Sequence, residues 1–305
     1  MRQLYGLVET TKQAHLASIQ RRAAQADKFL LLCAVLKTER AKHPAMSLKK
    51  LYVKLNPGFA GRDAFMDFGM ANGFEPIIKA KFHKTTHSGD GGSYPNLLHD
   101  LKVYDINRLW VSDITYFKIG GSWFYIVLVE DVYSRKILGW NASERMFAQA
   151  NLKAFQMAVQ KRGIARFNNL LIHHSDKGSQ YRSFEYTDKV KEHELLISMG
   201  NCCYDNAFME STNGILKNEY LRHRPIHNGN DLLKHLEQDV HLYNHERPHG
   251  SLNMMTPHGF ECYISNIPLE HRVGLPIYTD KSKQNNLLKI KPDSQQLKFQ
   301  FPGFR

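Results

Sequence analysis

The order of extended and helical segments in the middle of the chain constrains its fold more than any other sequence feature. Three runs rich in β-branched and aromatic residues come first, at 109–119, 122–132 and 136–142. Helical and extended patterns then alternate, at 147–161 (helix), 170–173 (strand), 184–193 (helix), 195–199 (strand) and 204–220 (helix). This order, βββαβαβα, predicts an α/β fold in which helices pack on the faces of a mixed sheet.

Further regions flank this core. Helical patterns at 28–41, 47–55 and 61–72 predict a helical N-terminal region, and a turn with Gly58 between the last two indicates helix-turn-helix geometry. Any small helical bundle would show the same spacing. The predicted regions are 1–76 (helical, expected to bind DNA if it has helix-turn-helix geometry), 77–107 (basic linker), 108–222 (core, catalytic or structural), 223–265 (helical extension with a helix at 230–245) and 266–305 (basic tail).

The flanks also hold the positive charge. The 305 residues include 41 Lys and Arg against 29 Asp and Glu, a net charge of +12. Residues 1–108 contain 17 basic and 9 acidic side chains, and residues 109–265 contain 17 of each. A basic surplus is typical of proteins that bind a polyanion such as DNA, although surface lysines also serve solubility.

Apolar runs and cysteines bear on the cellular setting. The longest uninterrupted apolar run, 29–36, has eight residues, whereas a membrane helix needs about 20. The four cysteines form no CxxC pair, and no cysteine lies at zinc-finger spacing from His173, His174, His245 or His249. We therefore expect a reducing, cytoplasmic and nucleoid-associated setting, no membrane partner and no structural zinc.

Two carboxylates occupy positions typical of a catalytic site. Asp113 lies within the first strand pattern beside Val111 and Ile114, where an unpaired carboxylate is costly. Asp176 directly follows the fourth strand, where ligand-binding groups collect in α/β sheets. Taken singly, each has a simpler explanation, an exposed strand face for Asp113 and a turn for Asp176.

A third carboxylate, Glu210, falls on the helix predicted at 204–220. At 100° per residue it shares one face with Asn206, Asn213 and Lys217. Apolar residues, among them Phe208 and Ile215, lie on the opposite face, which we expect to pack on the sheet. The polar face is then either solvated or turned towards a ligand.

Together the three carboxylates provide the hard oxygen ligands that two Mg²⁺ ions need, and Mn²⁺ could substitute. Two such ions about 3.5–4 Å apart stabilise the attacking and leaving oxygens of an in-line phosphoryl displacement. The predicted chemistry is therefore metal-dependent cleavage or transfer of a phosphodiester.

Four segments resemble a known family: WVSDITYF, HHSDKGSQY, NCCYDNAFMESTNGILKNE and YNHERPHGSL. They are similar to the catalytic core of bacterial insertion-sequence transposases of the Asp-Asp-Glu, retroviral-integrase-like type, in particular the product of the second reading frame. The resemblance covers residues 85–260 well and residues 1–84 loosely. It implies a ribonuclease-H-like fold with Asp113, Asp176 and Glu210 as the catalytic, metal-binding triad.

The resemblance also implies partners and further site residues. Lys217 matches a family lysine that contacts the transposon end, and Asn206 and Asn213 match motif positions. The residues expected to bind DNA are Lys217, Asn206, Asn213, Lys177 and Arg62. The implied reaction cleaves double-stranded DNA at transposon ends and transfers the freed 3′ hydroxyl to another strand. A homo-oligomer on DNA and a fusion to an upstream-frame product are expected.

Two departures from the family leave an alternative open. Glu210 follows Asp176 by 34 positions, about two fewer than is usual, and the N-terminal region lacks a Tyr-Gly signature. A relic without catalytic activity that occupies element ends as a repressor is therefore the alternative function. His245 and Arg247 match a motif after the core, where a structural role or a phosphate contact is expected.

Overall fold

The computed structural model describes residues 11–77, 94–145, 148–200 and 206–277. The helices are α1 (Lys12–Lys42), α2 (Leu48–Leu55), α3 (Arg62–Ala71), α4 (Ala148–Arg162), α5 (Phe184–Glu192), α6 (Ala207–Ile215), α7 (Gly229–His245) and α8 (Pro257–Ile264). The strands are β1 (Lys102–Val103), β2 (Leu109–Ile119), β3 (Ser122–Asp131), β4 (Lys136–Ser143), β5 (Ile172–Ser175), β6 (Leu196–Met199) and β7 (Leu275–Pro276).

Five strands form one mixed sheet in the order β4-β3-β2-β5-β6. The first three strands of the core pair antiparallel, and β5 and β6 extend the sheet in parallel from β2. The predicted βββαβαβα order and the ribonuclease-H-like sheet are confirmed. This topology makes β2 a central strand, with β5 directly beside it.

Alternate residues of β2 point to two separate cores. Trp110 packs with Phe155 of α4 on one face of the sheet, and Val111 belongs to the cluster beneath α6 and α7 on the other. On β4, a Cβ built at Gly139 would lie 1.8 Å from the carbonyl oxygen of Ala154, so the absence of a side chain lets α4 lie close against the sheet.

The N-terminal helices have a small core of their own, which includes Leu36, Leu51 and Phe65. Helix α1 begins at Lys12, well before the predicted start at residue 28, and has 31 residues. Its last turn contacts the segment between α6 and α7, where Arg224 donates hydrogen bonds to the carbonyl oxygens of Ala41 (2.9 Å) and Lys42 (2.8 Å).

Residues 94–107 are not a linker, contrary to the prediction for 77–107. Leu98 and Val103 are buried in the main core. Strand β1 pairs antiparallel with β7, which lies in the region predicted as a basic tail. The rest of both predicted segments, 78–93 and 278–305, lies outside the described residues.

Two helices differ from expectation. Helix α8 was not predicted, because eight residues give little periodicity. The helix predicted at 204–220 is α6 followed by a π-helical turn, Leu216–Tyr220, and residues 201–205 lie outside the described structure. Within the described residues, no helix is both long enough and apolar enough to cross a membrane.

Candidate active site

Strands β2 and β5 bring two of the predicted acids together. They pair in parallel with Val111 opposite His174. Two residues after Val111 comes Asp113, inside β2, and two residues after His174 comes Asp176, just after β5 ends. Adjacent strands are about 4.8 Å apart, so this register places the two carboxylates side by side at the carboxyl end of β5.

Asp113 is the more enclosed of the two acids. Its Oδ2 accepts a hydrogen bond of 2.8 Å from the side-chain amide of Asn213. Burial, together with the nearby charges of Asp176 and Glu210, raises its pKa to about 7, against the opposing effects of the Ile114 backbone N–H and Lys217. A carboxyl group that ionises this reluctantly gains most from a cation beside it.

Asp176 lies in an exposed turn, where its Oδ1 accepts a 3.0 Å hydrogen bond from the backbone N–H of Gly178. Partial loss of contact with water raises the pKa of Asp176, and the Gly178 hydrogen bond opposes this rise. A Cβ at Gly178 would approach Asp176 Oδ1 to 2.9 Å, so glycine leaves this oxygen accessible. Glu210 is exposed in the first turn of α6.

Helix α6 packs on the sheet with a different face from the one predicted. Its fully buried side chains include Met209, about 100° away from Glu210, whereas Phe208 and Ile215 are only half-buried. The asparagines therefore turn inwards. Asn206 donates a 3.1 Å hydrogen bond to the carbonyl oxygen of Ser112, and Asn213 bonds Asp113.

Lys217 lies in the π-helical turn after α6 and reaches the same strand. Its Nζ donates a 2.5 Å hydrogen bond to Oγ1 of Thr115, two residues beyond Asp113 on one face of β2. Burial and the neighbouring Arg222 lower the pKa of Lys217, and the charge of Asp113 raises it. The predicted proximity of Lys217 to the acids is present in the structure.

The other predicted DNA-binding residues lie in two places. Lys177 directly follows Asp176 in the loop after β5. Arg62 begins α3 in the N-terminal region, where its exposed side chain donates a 2.9 Å hydrogen bond to Asp63. Arg62 is therefore on a different element from each of the three acids. Contact of either residue with DNA stays a prediction.

Sequence reasoning did not identify two supporting residues. Thr115 holds Lys217, and the alternation of β2 could have placed it on the same face as Asp113. Tyr181 is fully buried, and its hydroxyl lies 2.8 Å from Ser112 Oγ, which ties the loop after Asp176 to β2. No local pattern marks Tyr181, because its partner is 69 positions away.

Arg247 has a structural role, one of the two roles expected for it. It is buried, and it donates hydrogen bonds of 2.7 Å to both carboxylate oxygens of Glu219, just after Lys217 on the π-helical turn. This bidentate pair fixes the turn to the segment that follows α7.

The donors at the site suit a divalent cation of the Mg²⁺ class. Asp113, Asp176 and Glu210 offer only oxygen. The side-chain oxygens of Asn206 and Asn213 are buried and have no hydrogen-bond partner among the described residues. Within that part of the chain, the ligand atoms of the three acids do not all lie within 4.8 Å of one another, so the site is more open than a closed metal cage.

Two family models match this region of the chain. An integrase core domain model matches residues 104–202, and a second integrase core domain model matches residues 194–257. The first match includes β2 and β5, and the second includes α6. These three elements hold the three acids.

Known relatives are similar over the same region. The insertion element IS600 uncharacterized 31 kDa protein of Shigella sonnei is 37% identical over 188 residues, which is 60% of this chain and 68% of that protein. Transposase InsF for insertion sequence IS3A of Escherichia coli (strain K12) is 37% identical over 174 residues. That alignment covers 54% of this chain and 58% of InsF.

Among solved structures, the HTLV-2 integrase catalytic core domain in complex with magnesium (dimeric form) is 18% identical, with a TM-score of 0.41. The match covers 51% of this chain and 97% of that chain. The catalytic core domain of BIV integrase is 15% identical, with a TM-score of 0.39, and covers 52% of this chain and 96% of that chain.

Proposed function

This chain belongs to the insertion-sequence transposases that contain an integrase core domain, and from that premise we propose that it cleaves DNA at transposon ends and transfers the freed 3′ hydroxyl to another strand. Its substrates are then double-stranded transposon ends and target DNA. We further propose that it works as a homo-oligomer on DNA and that it can be fused to the product of an upstream reading frame.

One observation supports this function above the others: Asp113, Asp176 and Glu210 are near enough for the charges of the latter two to raise the pKa of Asp113. Three carboxylates at one edge of a sheet repel one another in the absence of a cation. We propose that two Mg²⁺ ions, or Mn²⁺ in their place, are held by these three residues. Such ions activate the attacking oxygen and stabilise the leaving oxygen of a phosphodiester.

The neighbouring side chains prepare the acids for this role. The amide of Asn213 fixes the orientation of the Asp113 carboxylate, and Asn206 ties the start of α6 to the Ser112 carbonyl, so that Glu210 is presented one turn later. Both asparagines are more than 90% buried and have little surface for a phosphate, so we assign them a positioning role in place of the expected DNA contact.

Lys217 is the residue that we propose contacts the DNA end. Its ammonium group is half-buried and held by Thr115 beside Asp113, where a phosphate entering the site would meet it. Lys177, next to Asp176, provides a second positive charge at the same edge. Both positive charges would offset the repulsion between the acids and the phosphate.

The test replaces Glu210 with glutamine. Glu210→Gln keeps the side-chain size but removes one charge that holds the cations, so nicking and strand joining should both be lost while gel-shift binding of the end DNA remains. Glu185→Gln is the matched control, because Glu185 is an exposed acid in the first turn of α5. Both reactions are measured with Mg²⁺ and with Mn²⁺, with and without the upstream-frame product.

Equal nicking by Glu210→Gln and the wild type would refute the role of Glu210. A wild type that shifts end DNA but never nicks it under any of these conditions would refute the proposed activity and favour an end-binding repressor.

A further inference from the structure

Four potential metal ligands, none of them among the three candidate acids, lie together on helices α7 and α8. His241 and His245 are four residues apart on α7, and His258 and Cys262 are four residues apart on α8. Side chains at this spacing lie on the same face of a helix. Each helix therefore presents one pair of ligands, as paired histidines do in helical zinc sites.

The side chains of the two helices meet in a row. The ring centroids of His241 and His245 are 4.6 Å apart, and those of His245 and His258 are also 4.6 Å apart. His258 Nε2 lies 3.7 Å from Cys262 Sγ. All four residues are exposed, and Cys262 is a free thiol.

The contact between His258 and Cys262 already has nearly the spacing of a chelate. Zinc binds nitrogen at about 2.0–2.1 Å and sulfur at about 2.3 Å in a tetrahedron, which separates the two ligand atoms by about 3.5 Å. The observed 3.7 Å is close to this value. Among the described residues, no three of the four ligand atoms lie within 4.8 Å of one another, so His241 and His245 complete the site by rotating to other rotamers, which their exposure allows.

We propose that His241, His245, His258 and Cys262 bind one Zn²⁺ ion, or another divalent transition metal that prefers nitrogen and sulfur ligands, and that this ion clamps α8 to α7. The ligand set, three imidazoles and one thiolate, is of the closed structural type. This site uses none of the residues of the proposed catalytic function and is independent of it.

The clamp would act on an element that supports the sheet. Helix α8 also presents Glu261, which accepts hydrogen bonds of 2.7 Å from Lys136 and from Arg162. These contacts hold α8 against β4 and α4. A metal between α7 and α8 would fix the position of Glu261 through the helix that bears it.

A second cluster, Glu39, His43 and Glu246, has ligand atoms within 4.8 Å of one another but is a weaker candidate. The ammonium group of Lys54 already lies among them, 2.6 Å from Glu246 Oε2 and 3.1 Å from His43 Nε2, and it also bonds Glu39. This cluster therefore contains its own cation, whereas among the described residues no lysine or arginine is hydrogen-bonded to the four side chains of the row on α7 and α8.

The sequence-based expectation of no structural zinc is thus replaced by this proposal. That expectation rested on the lack of a cysteine close to His245 in sequence. Cys262 is 17 positions away, on a different helix. The two pairs become one group only because α7 and α8 pack together.

The experiment titrates Co²⁺, then Zn²⁺, into chelator-treated full-length protein under reducing conditions, with excess Mg²⁺ present to occupy the oxygen site. We expect one equivalent of Co²⁺ to produce a thiolate-to-cobalt charge-transfer absorption, which one equivalent of Zn²⁺ abolishes. Cys262→Ser should remove this absorption, and His245→Ala and His258→Ala should each weaken binding at least about tenfold.

Three controls identify the ligands. Cys33→Ser and the double variant Cys202→Ser with Cys203→Ser should keep the absorption, as should His227→Ala, which removes an exposed histidine outside the row. Glu210→Gln should also bind Co²⁺ normally, so loss of catalysis and loss of this site are separable. Charge-transfer absorption that survives in Cys262→Ser, or an absence of stoichiometric binding in the wild type, would overturn the proposal.

Discussion

The amide nitrogen of Asn213 lies 2.8 Å from Oδ2 of Asp113 and donates a hydrogen bond to it across 100 positions of sequence. This contact joins the helix that bears Glu210 to the strand that bears Asp113. It therefore sets both the orientation of one acid and the position of another. In metal sites, partners of this kind control how well the ligands are presented.

Replacing Asn213 should impair catalysis without unfolding the protein. Asn213→Ala removes the hydrogen bond, and we expect the nicking rate to fall about 10- to 100-fold. Asn213→Asp places a negative charge beside Asp113, which raises the pKa of Asp113 further and should move the activity profile to higher pH. Asn218→Ala on the following turn is the control. An unchanged pH profile in Asn213→Asp would contradict this positioning role.

The pKa of Asp113 predicts how stability depends on pH in the absence of divalent metal. This pKa is raised from 3.8 to about 7, so the folded protein binds the proton more tightly than the unfolded chain does. The stabilisation from protonated Asp113 is complete below about pH 4 and is lost as the pH rises through 7. Asp113→Asn should therefore raise the melting temperature by about a few degrees at pH 8 and change it little at pH 4.

Glu130 provides a comparison for Asp113. It is fully buried in β3, and burial raises its pKa to about 7, against the opposing charge of Arg135. Glu130→Gln should show the same pH-dependent stabilisation in thermal melts but keep its nicking activity, whereas Asp113→Asn loses it. A melting temperature for Asp113→Asn that stays below the wild type at pH 8 would argue against the raised pKa.

Acid should destabilise the protein through its buried histidines. Burial and the nearby Lys54 lower the pKa of His43 to about 4, and burial lowers that of His173 to about 3. The stabilisation from these neutral rings is present above about pH 6.5 and is lost as the pH falls towards these values. His43→Gln should show a shallower decline in the urea midpoint between pH 6.5 and 4 than the wild type.

The control for His43 is His271→Gln, since His271 is exposed. It should follow the wild-type pH dependence at every point. Identical slopes for His43→Gln and the wild type would show that His43 does not contribute to acid unfolding.

Lys217 should matter for the DNA end more than for the fold. Lys217→Ala removes a charge next to Asp113, and a charge-assisted contact is worth about 1.5–3 kcal/mol, so the DNA concentration for half-maximal nicking should rise about tenfold or more. Lys217→Arg should be milder because it keeps the charge. Lys234→Ala, an exposed lysine on α7, is the control. Nicking curves for Lys217→Ala that overlay the wild type would make Lys217 an ordinary surface residue.

The sequence by itself determined the order of elements in the core and predicted the three acids of the candidate site. The spacing of hydrophobic residues is a local property of the sequence. The predicted ends of the strands at 109–119 and 122–132 and of the helix at 184–193 are therefore within a residue or two of the observed ends. Asp113 and Asp176 were identifiable because a carboxylate inside or directly after a buried strand conflicts with its apolar neighbours.

The tertiary structure decided which residues meet across the chain. The rotation of α6 that turns Asn213 towards Asp113, the pairing of β1 with β7, and the row from His241 to Cys262 all join residues that are distant in sequence. Each depends on how two elements pack, and packing is set by side-chain shape and burial across the whole core. No pattern within a single segment contains that information.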